Sequence, residues 1–290
     1  MFEGYCAGTK SWAPLSKLYA NRNRRFAWLG LRTSPADSLG IATWQQNVTS
    51  DTGGVSSTSS VGVQFFQGPG ILGSEPPVVD VISAEGSGYA PPPPAFCAAT
   101  TYPGTLDAGT LTVTSPGGSP VSLQPQNQNG VISYQSPTSA GAIQAGDYSI
   151  ANASGATAVG PFAAEATLPA PITITTNLQP GTPISLPFTL NWTGGGSDSV
   201  VSVQLNVIIP GQLTTPLLEA TSPAAAGTRT LTMPVPPASL FSMRAGAGVE
   251  ILVTQQPAQA QSYPFSALGL TVGGEQLWNY VFDFKGLIAK

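Results

Sequence analysis

The sequence predicts an all-β protein of the immunoglobulin-like sandwich kind, and three observations carry that expectation. Apolar residues fall in short runs, and nearly every run ends at Gly, Pro, Asn or Asp, the spacing of a sandwich or barrel rather than of βαβ units. The run Val201–Ile209 alternates cleanly, with Val201, Val203, Leu205, Val207 and Ile209 on one face and Ser202, Gln204 and Asn206 on the other; a period of two marks a half-buried strand. Charge is sparse, at 8% of residues against roughly 25% in an average soluble domain. Such a surface is solubilised by hydroxyls and amides.

Residues 1–58 read as an irregular N-terminal extension. Lys10 to Leu31 has helical character, and Asp51–Ser60 (DTGGVSSTSS) reads as a flexible linker. Val61–Phe66 and Val78–Ser83 are the first strands, and Pro91–Pro94 then forms a stiff separator. From Tyr102 the rhythm of strand and turn is steady. The expected strands are Thr110–Thr114, Val131–Tyr134, Asp147–Ala151, Val159–Ala166, Ile172–Thr176 and Phe188–Trp192. They continue with Val200–Ile209, Thr228–Val235, Val249–Thr254, Phe265–Val272 and Trp278–Phe284. Leu190–Trp192 and Val201–Ile209 should form a hairpin across the turn Thr193–Asp198, and Pro236-Pro237 suits the first turn of a short helix. Two prolines at Leu168-Pro169-Ala170-Pro171 interrupt the strands, dividing the chain into packed β units at 60–168 and 169–290. Trp192, Val201, Val203, Leu205, Val207, Leu231 and Met233 are expected to share one core.

The order of several short segments carries a resemblance. Leu106-Asp107-Ala108-Gly109, Ser115-Pro116-Gly117-Gly118, Ala145-Gly146-Asp147-Tyr148-Ser149-Ile150 and Val159-Gly160-Pro161-Phe162 are followed by Leu190-Asn191-Trp192-Thr193-Gly194-Gly195. Val235-Pro236-Pro237 and Leu268-Gly269-Leu270-Thr271-Val272-Gly273 complete the series. Together, over about residues 103–286, they resemble a paralogous group of uncharacterised exported β-sandwich proteins of acidobacteria. The resemblance implies export and an Ig-like fold; it implies no reaction. In Gly-Asp-Tyr-Ser-Ile the tyrosine is expected to bury its ring and bond backbone through its hydroxyl, as at a sandwich corner.

Charge is unevenly placed. Six of the ten basic residues (Lys10, Lys17, Arg22, Arg24, Arg25 and Arg32) lie in the first 32 positions, and none occurs from Thr33 to Thr228, where ten acids lie. Nucleic acid needs a basic stripe, so no nucleic-acid partner is expected. No run reaches the ~18 apolar residues of a transmembrane helix. Arg22–Arg25 followed by Phe26–Leu31 imitates an export signal, but the apolar run stops at Arg32, below the ~7–15 residues required. The location expected is extracellular or cell-surface, with the signal not visible in this chain. Cys6 and Cys97 lie 91 positions apart; a disulfide between them and two free thiols are equally compatible with that spacing.

Chemistry is thinly represented. The chain has no histidine, which removes the usual Ser-His-Asp and Cys-His arrangements and most zinc, copper and iron sites. No cofactor is expected. Glycoside hydrolysis needs only two carboxylates, but the fourteen acids are scattered. Asp198 in its glycine-rich turn is one acid, too few for calcium. The expected function is therefore non-catalytic binding or adhesion, with carbohydrate or further copies of the chain as partners. Trp44, Tyr89, Tyr102 and Trp278 are the aromatics expected to stack on sugars. A structural subunit of a surface layer or filament is the first alternative, and a glycoside-acting enzyme the second.

Overall fold

A computed structural model describes residues 31–33, 38–67, 70–72, 87–89, 104–136, 139–140, 143–208, 215–232, 245–258 and 263–290. Among them the fold is all-β, with one three-residue 3-10 turn at Ala224–Ala226. One large sheet forms the back of the molecule. Its central path runs Thr215–Pro223, Ser199–Ile208, Gly248–Pro257, Gly273–Ala289, Ser38–Asp51, Gly54–Gln67 and Val131–Gln135, with Ser87–Tyr89 and Gln126–Gln128 at its two ends. Neighbours on this path are antiparallel except at its middle, where Ser38–Asp51 lies parallel to Gly273–Ala289 over twelve residue pairs, from Leu39↔Gly273 to Ser50↔Phe284.

The extension expected over residues 1–58 is corrected by this pairing. Ser38–Asp51 is a central strand, and Asp51–Ser60 is the turn and return strand of a hairpin rather than a linker. The turn is made by Thr52-Gly53, with Gly53 N–H donating to Asp51 Oδ1 at 2.7 Å. Serines and threonines on both faces disguised the strand, because its outer half projects past the core into solvent. Val55 there is exposed. Helical character expected from Lys10 falls outside the described residues up to Gly30, while Leu31–Thr33 pairs with Gly70–Leu72. Val78–Ser83 and Pro236-Pro237 also lie outside them.

Two smaller sheets cover the large one. Phe162–Leu168, Gly146–Asn152, Leu111–Thr114 and Val121–Leu123 make a four-stranded sheet; Thr173–Ile174, Phe188–Thr193 and Thr228–Leu231 make a three-stranded one. The prolines at 169 and 171 fall where the covering layer passes from one to the other. They do not separate two units with cores of their own. The large sheet takes strands from both sides of residue 170, and one hydrophobic cluster holds residues from all three sheets.

Burial on the inner face explains the register. Trp44 and Val61, Val63 and Phe65 on the hairpin, and Trp278, Tyr280 and Phe282 on the C-terminal strand, are buried. Trp44 packs on Tyr148 of the four-stranded sheet (ring centroids 4.6 Å apart), and Phe162 stacks on Phe265 at 5.0 Å. Phe265 lies over two paired glycines. A Cβ at Gly274 would come within 2.1 Å of the Phe265 ring, and one at Gly40 within 2.8 Å, so the ring fills the space two side chains would otherwise need.

Three fully or nearly fully buried glutamines interrupt this apolar face. Gln46 Oε1 accepts the Ile143 N–H at 2.8 Å, and Gln255 Oε1 accepts the Ile172 N–H at 2.7 Å. Each pins the segment leading into a covering sheet onto the large sheet, satisfying a backbone donor that water cannot reach. Gln276 Oε1 accepts the Trp44 indole N–H at 3.1 Å.

The expectation for Tyr148, a buried ring with its hydroxyl on backbone, is met. Tyr148 is buried and its hydroxyl donates to the Gln144 carbonyl at 2.9 Å. Tyr134 plays a similar part: its hydroxyl accepts the Ala108 N–H at 2.7 Å and donates to Asp107 Oδ1 at 2.9 Å. Burial, first of all, raises the Tyr134 phenol far above its ordinary value. Trp192, Val201, Val203, Leu205 and Leu231 share the core as expected, with Val207 half-buried against it; Met233 lies outside the described residues.

Two local expectations fail. Phe188–Thr193 does not pair with Ser199–Ile208; it pairs with Thr173–Ile174 and Thr228–Leu231, while Ser199–Ile208 joins the large sheet. Thr193–Asp198 is thus a crossing between layers. Gly194 and Gly195 have φ of +82° and +81°, a conformation that costs little only without a Cβ. The strand expected over Phe265–Val272 ends at Phe265, and a loop follows in which Leu268 and Val272 are exposed.

The polar outer face of the large sheet carries one charged cluster. Lys285 Nζ lies 2.9 Å from Asp283 Oδ2 and 3.8 Å from Glu250 Oε1, and Asn206 Nδ2 donates to Glu250 Oε2 at 2.8 Å. Burial first, and the Asp283 charge with it, raise the Glu250 carboxyl above its ordinary 4.5, against the opposing Asn206 bond. A carboxyl raised by folding adds stability that is full at low pH and is lost as pH rises through the folded value. Urea titrations at pH 4, 5.5 and 7 should therefore show stability falling across that window. Glu250→Gln should flatten the fall; a slope unchanged in the variant would assign it to other groups.

Candidate functional site

The four-stranded sheet turns its polar face outward. Tyr148 and Ile150 point into the core, so Asp147 and Ser149 point away from it. Phe162, Ala164, Ala166 and Leu168 are buried in strict alternation, leaving Ala163, Glu165 and Thr167 exposed. Register then brings these residues together: Thr114 lies opposite Ser149, Ser149 opposite Glu165, and Asp147 opposite Thr167.

Tyr263 closes one side of this face. It belongs to the short strand Tyr263–Phe265, paired to the large sheet, and its hydroxyl donates to the Thr167 carbonyl. Between them lies an open groove of about 380 Å³ whose polar lining is Thr114, Asp147, Ser149, Glu165, Thr167 and Tyr263. Thr167 Oγ1 donates to Asp147 Oδ1 at 2.7 Å, fixing that carboxylate and leaving its other oxygen free of this bond. Partial burial raises the Tyr263 phenol, and the charges of Asp147 and Asp198 raise it further. No Lys or Arg lines the groove. Its chemistry is that of hydrogen-bond acceptors with a few rotatable hydroxyls and one aromatic wall.

The expected binding aromatics fare differently. Trp44 and Trp278 are each 4% exposed, which corrects their assignment as stacking platforms. They stand side by side on the inner face, where the hairpin and the C-terminal strand meet in register. Trp44 is held by Tyr148 and Gln276, and Trp278 packs on Tyr280 at 4.9 Å. Tyr89 ends the strand Ser87–Tyr89, its backbone opposite Leu218. Tyr102, Cys6 and Cys97 lie outside the described residues. Among the described residues no group of three or more His, Cys, Asp or Glu side chains gathers to hold a metal ion. Asp198 sits in its turn with Ser197 Oγ donating to it at 3.1 Å.

Sequence reading missed Asp147, Glu165 and Tyr263, although a signal for two of them was present. Once Tyr148 is placed inward, alternation puts Asp147 and Ser149 outward, and Glu165 sits among alternating alanines. What no local pattern could supply is the register that sets the two strands side by side.

No family model matches the chain, and no curated protein matches it. Among solved structures, it is similar to the yeast delta-COP-I mu-homology domain complexed with a Dsl1 WxWxV peptide, at 7% identity and a TM-score of 0.21. The match covers 88% of this chain and 98% of that one. The same yeast domain without the peptide gives 8% identity and a TM-score of 0.20 at the same coverage. Likeness at this level carries no argument about fold or function.

Proposed function

We propose that the protein is a non-catalytic, exported binding module of immunoglobulin-like sandwich type, and that its groove beside Tyr263 takes a neutral, hydroxyl-rich ligand such as a glycan. The observation that carries this reading is the pairing of Asp147 and Glu165 with four hydroxyl groups on one open face, without a cation in the lining. Carboxylates accept hydrogen bonds from vicinal sugar hydroxyls, and charge-assisted bonds of this kind are stronger than neutral ones. The same charges repel acidic polysaccharides and nucleic acids. The Tyr148 corner and the layered sheets support the Ig-like part of the reading. A binding rather than hydrolytic role is favoured because the two carboxylates stand on neighbouring strands of one shallow face. A glycosidase brackets the scissile bond from both sides.

Affinity electrophoresis of the full chain through neutral and acidic polysaccharides tests the reading. Retardation is expected in a neutral polymer and not in an acidic one. Asp147→Ala and Glu165→Ala should each weaken it about tenfold or more, since a hydrogen bond to a charged group is worth about 1.5–3 kcal/mol. Free passage through every polymer, or equal retardation of both variants and the parent, would overturn it.

A further inference from the structure

The outward face of the three-stranded sheet is built almost wholly of threonine. Phe188, Leu190 and Trp192 point into the core, as does Leu231 of the neighbouring strand. Alternation therefore turns Thr189, Asn191 and Thr193 outward, with Thr228 and Thr230 beside them. Thr173 opens the third strand, and Thr175 follows directly after its end. All seven of these side chains are exposed, and none carries a charge. Arg229, between Thr228 and Thr230, is half-buried on the other side of its strand.

Register sets the seven out in rows. Thr173 lies opposite Thr193, Asn191 opposite Thr228, and Thr189 opposite Thr230. The Thr175 N–H donates to the Asn191 carbonyl at 2.9 Å, which carries the ladder one step further. Asn191 thus stands at the centre with the threonines around it. The pattern repeats at about 4.8 Å across the strands and about 6.7 Å between alternate residues along each. Twist accumulates over only two strand steps.

These side chains are held in place. The Thr189 and Thr230 hydroxyls share a hydrogen bond of 2.9 Å, and Thr228 Oγ1 donates to Asn191 Oδ1 at 2.9 Å. A β-branched side chain is stiff at χ1 in any case. Each threonine hydroxyl keeps capacity for a further partner and stands beside a methyl group. Methyls order the water over them without bonding it, and the hydroxyls anchor it. The two repeats are close to the oxygen spacings on a prism face of hexagonal ice.

We propose that this threonine face adsorbs to ice. Its neutrality is the complement that selects a solid of ordered water over an ionic partner, because a fixed lattice cannot reorganise to solvate a charge. The face measures about 10 Å by 13 Å, so it should slow recrystallisation rather than arrest crystal growth. It belongs to a different covering sheet from the Asp147 groove, and the two functions are separable.

Slow growth of ice on a cold probe, in a dilute solution of the fluorescently labelled full chain, tests this. The parent should enter the ice and slow the coarsening of a polycrystalline film. Thr189→Lys and Thr230→Lys should each cut uptake about tenfold or more, since ice cannot solvate the ammonium. Thr230→Val keeps the shape and the methyl groups and should lose less. Both positions are exposed, so circular dichroism should show the variants folded. Their retardation in neutral polysaccharide should match that of the parent, which separates this face from the groove. Exclusion of the parent from ice as complete as that of its lysine variants would overturn the proposal. So would uptake by crystalline cellulose without uptake by ice, which would assign the face to a polysaccharide surface.

Discussion

Trp192→Ala is expected to lower the unfolding free energy by about 3–5 kcal/mol, the usual cost of emptying a buried aromatic site. The ring is 3% exposed and lies in the common core beneath the three-stranded sheet. Its indole N–H donates to the Ala224 carbonyl at 2.7 Å, so the variant also loses that bond, although the carbonyl keeps the Gly227 N–H at 3.2 Å. Chemical denaturation read by far-ultraviolet circular dichroism measures the loss. A midpoint unchanged in the variant would mean that the ring is not part of the core. Trp192→Phe refines the test: it should recover most of the packing while still losing the indole hydrogen bond, leaving a deficit of about 0.5–1.5 kcal/mol.

A loss of similar size, about 3–5 kcal/mol, is expected for Trp44→Ala, and here the result separates two roles for the same residue. A sugar-stacking tryptophan is exposed, and its removal abolishes binding with little effect on stability. A core tryptophan does the reverse. Trp44 is wedged between Tyr148 of the covering sheet and Gln276 of the large sheet. Losing it opens a cavity between the layers and removes the bond to the Gln276 carboxamide, which is wholly buried. Denaturation and polysaccharide retardation measured on one preparation decide between the roles. Lost stability with retained retardation is the expected pair; the opposite pair would return Trp44 to a ligand.

How far the sequence could be read depended on whether the deciding forces were local. Val201, Val203 and Leu205 fall on one face because a strand has a period of two, and a window of nine residues contains that information. Tyr148 was legible for the same reason, since a buried ring with a polar tip finds a backbone partner four residues away. The hairpin from Ser38 to Gln67 was not. Its partner strand lies more than two hundred positions further on, at Gly273–Ala289, and its outer half carries serine and threonine where a locally stabilised strand would carry valine. The glutamines at 46 and 255 broke the apolar rhythm for reasons visible only when a crossing loop presents its N–H, and Gln276 did so for the indole N–H of Trp44 on the neighbouring strand. The groove was half legible. Alternation yields the outward faces of two strands, but pairing Asp147 with Thr167 and Ser149 with Glu165 requires the register.

The parallel ladder at the centre of the large sheet has a mechanical consequence. Ser38–Asp51 and Gly273–Ala289 run in the same direction, so the upstream chain leaves one end of the ladder and the downstream terminus leaves the other. Tension between the two ends would slide the strands past each other, loading the whole set of ladder bonds at once instead of unzipping them singly. Rupture would then require many bonds to fail together, which raises the force the molecule bears before it extends. The hairpin turn at Thr52-Gly53 and the covering sheets lie off that line of tension, so their loops can vary without weakening it.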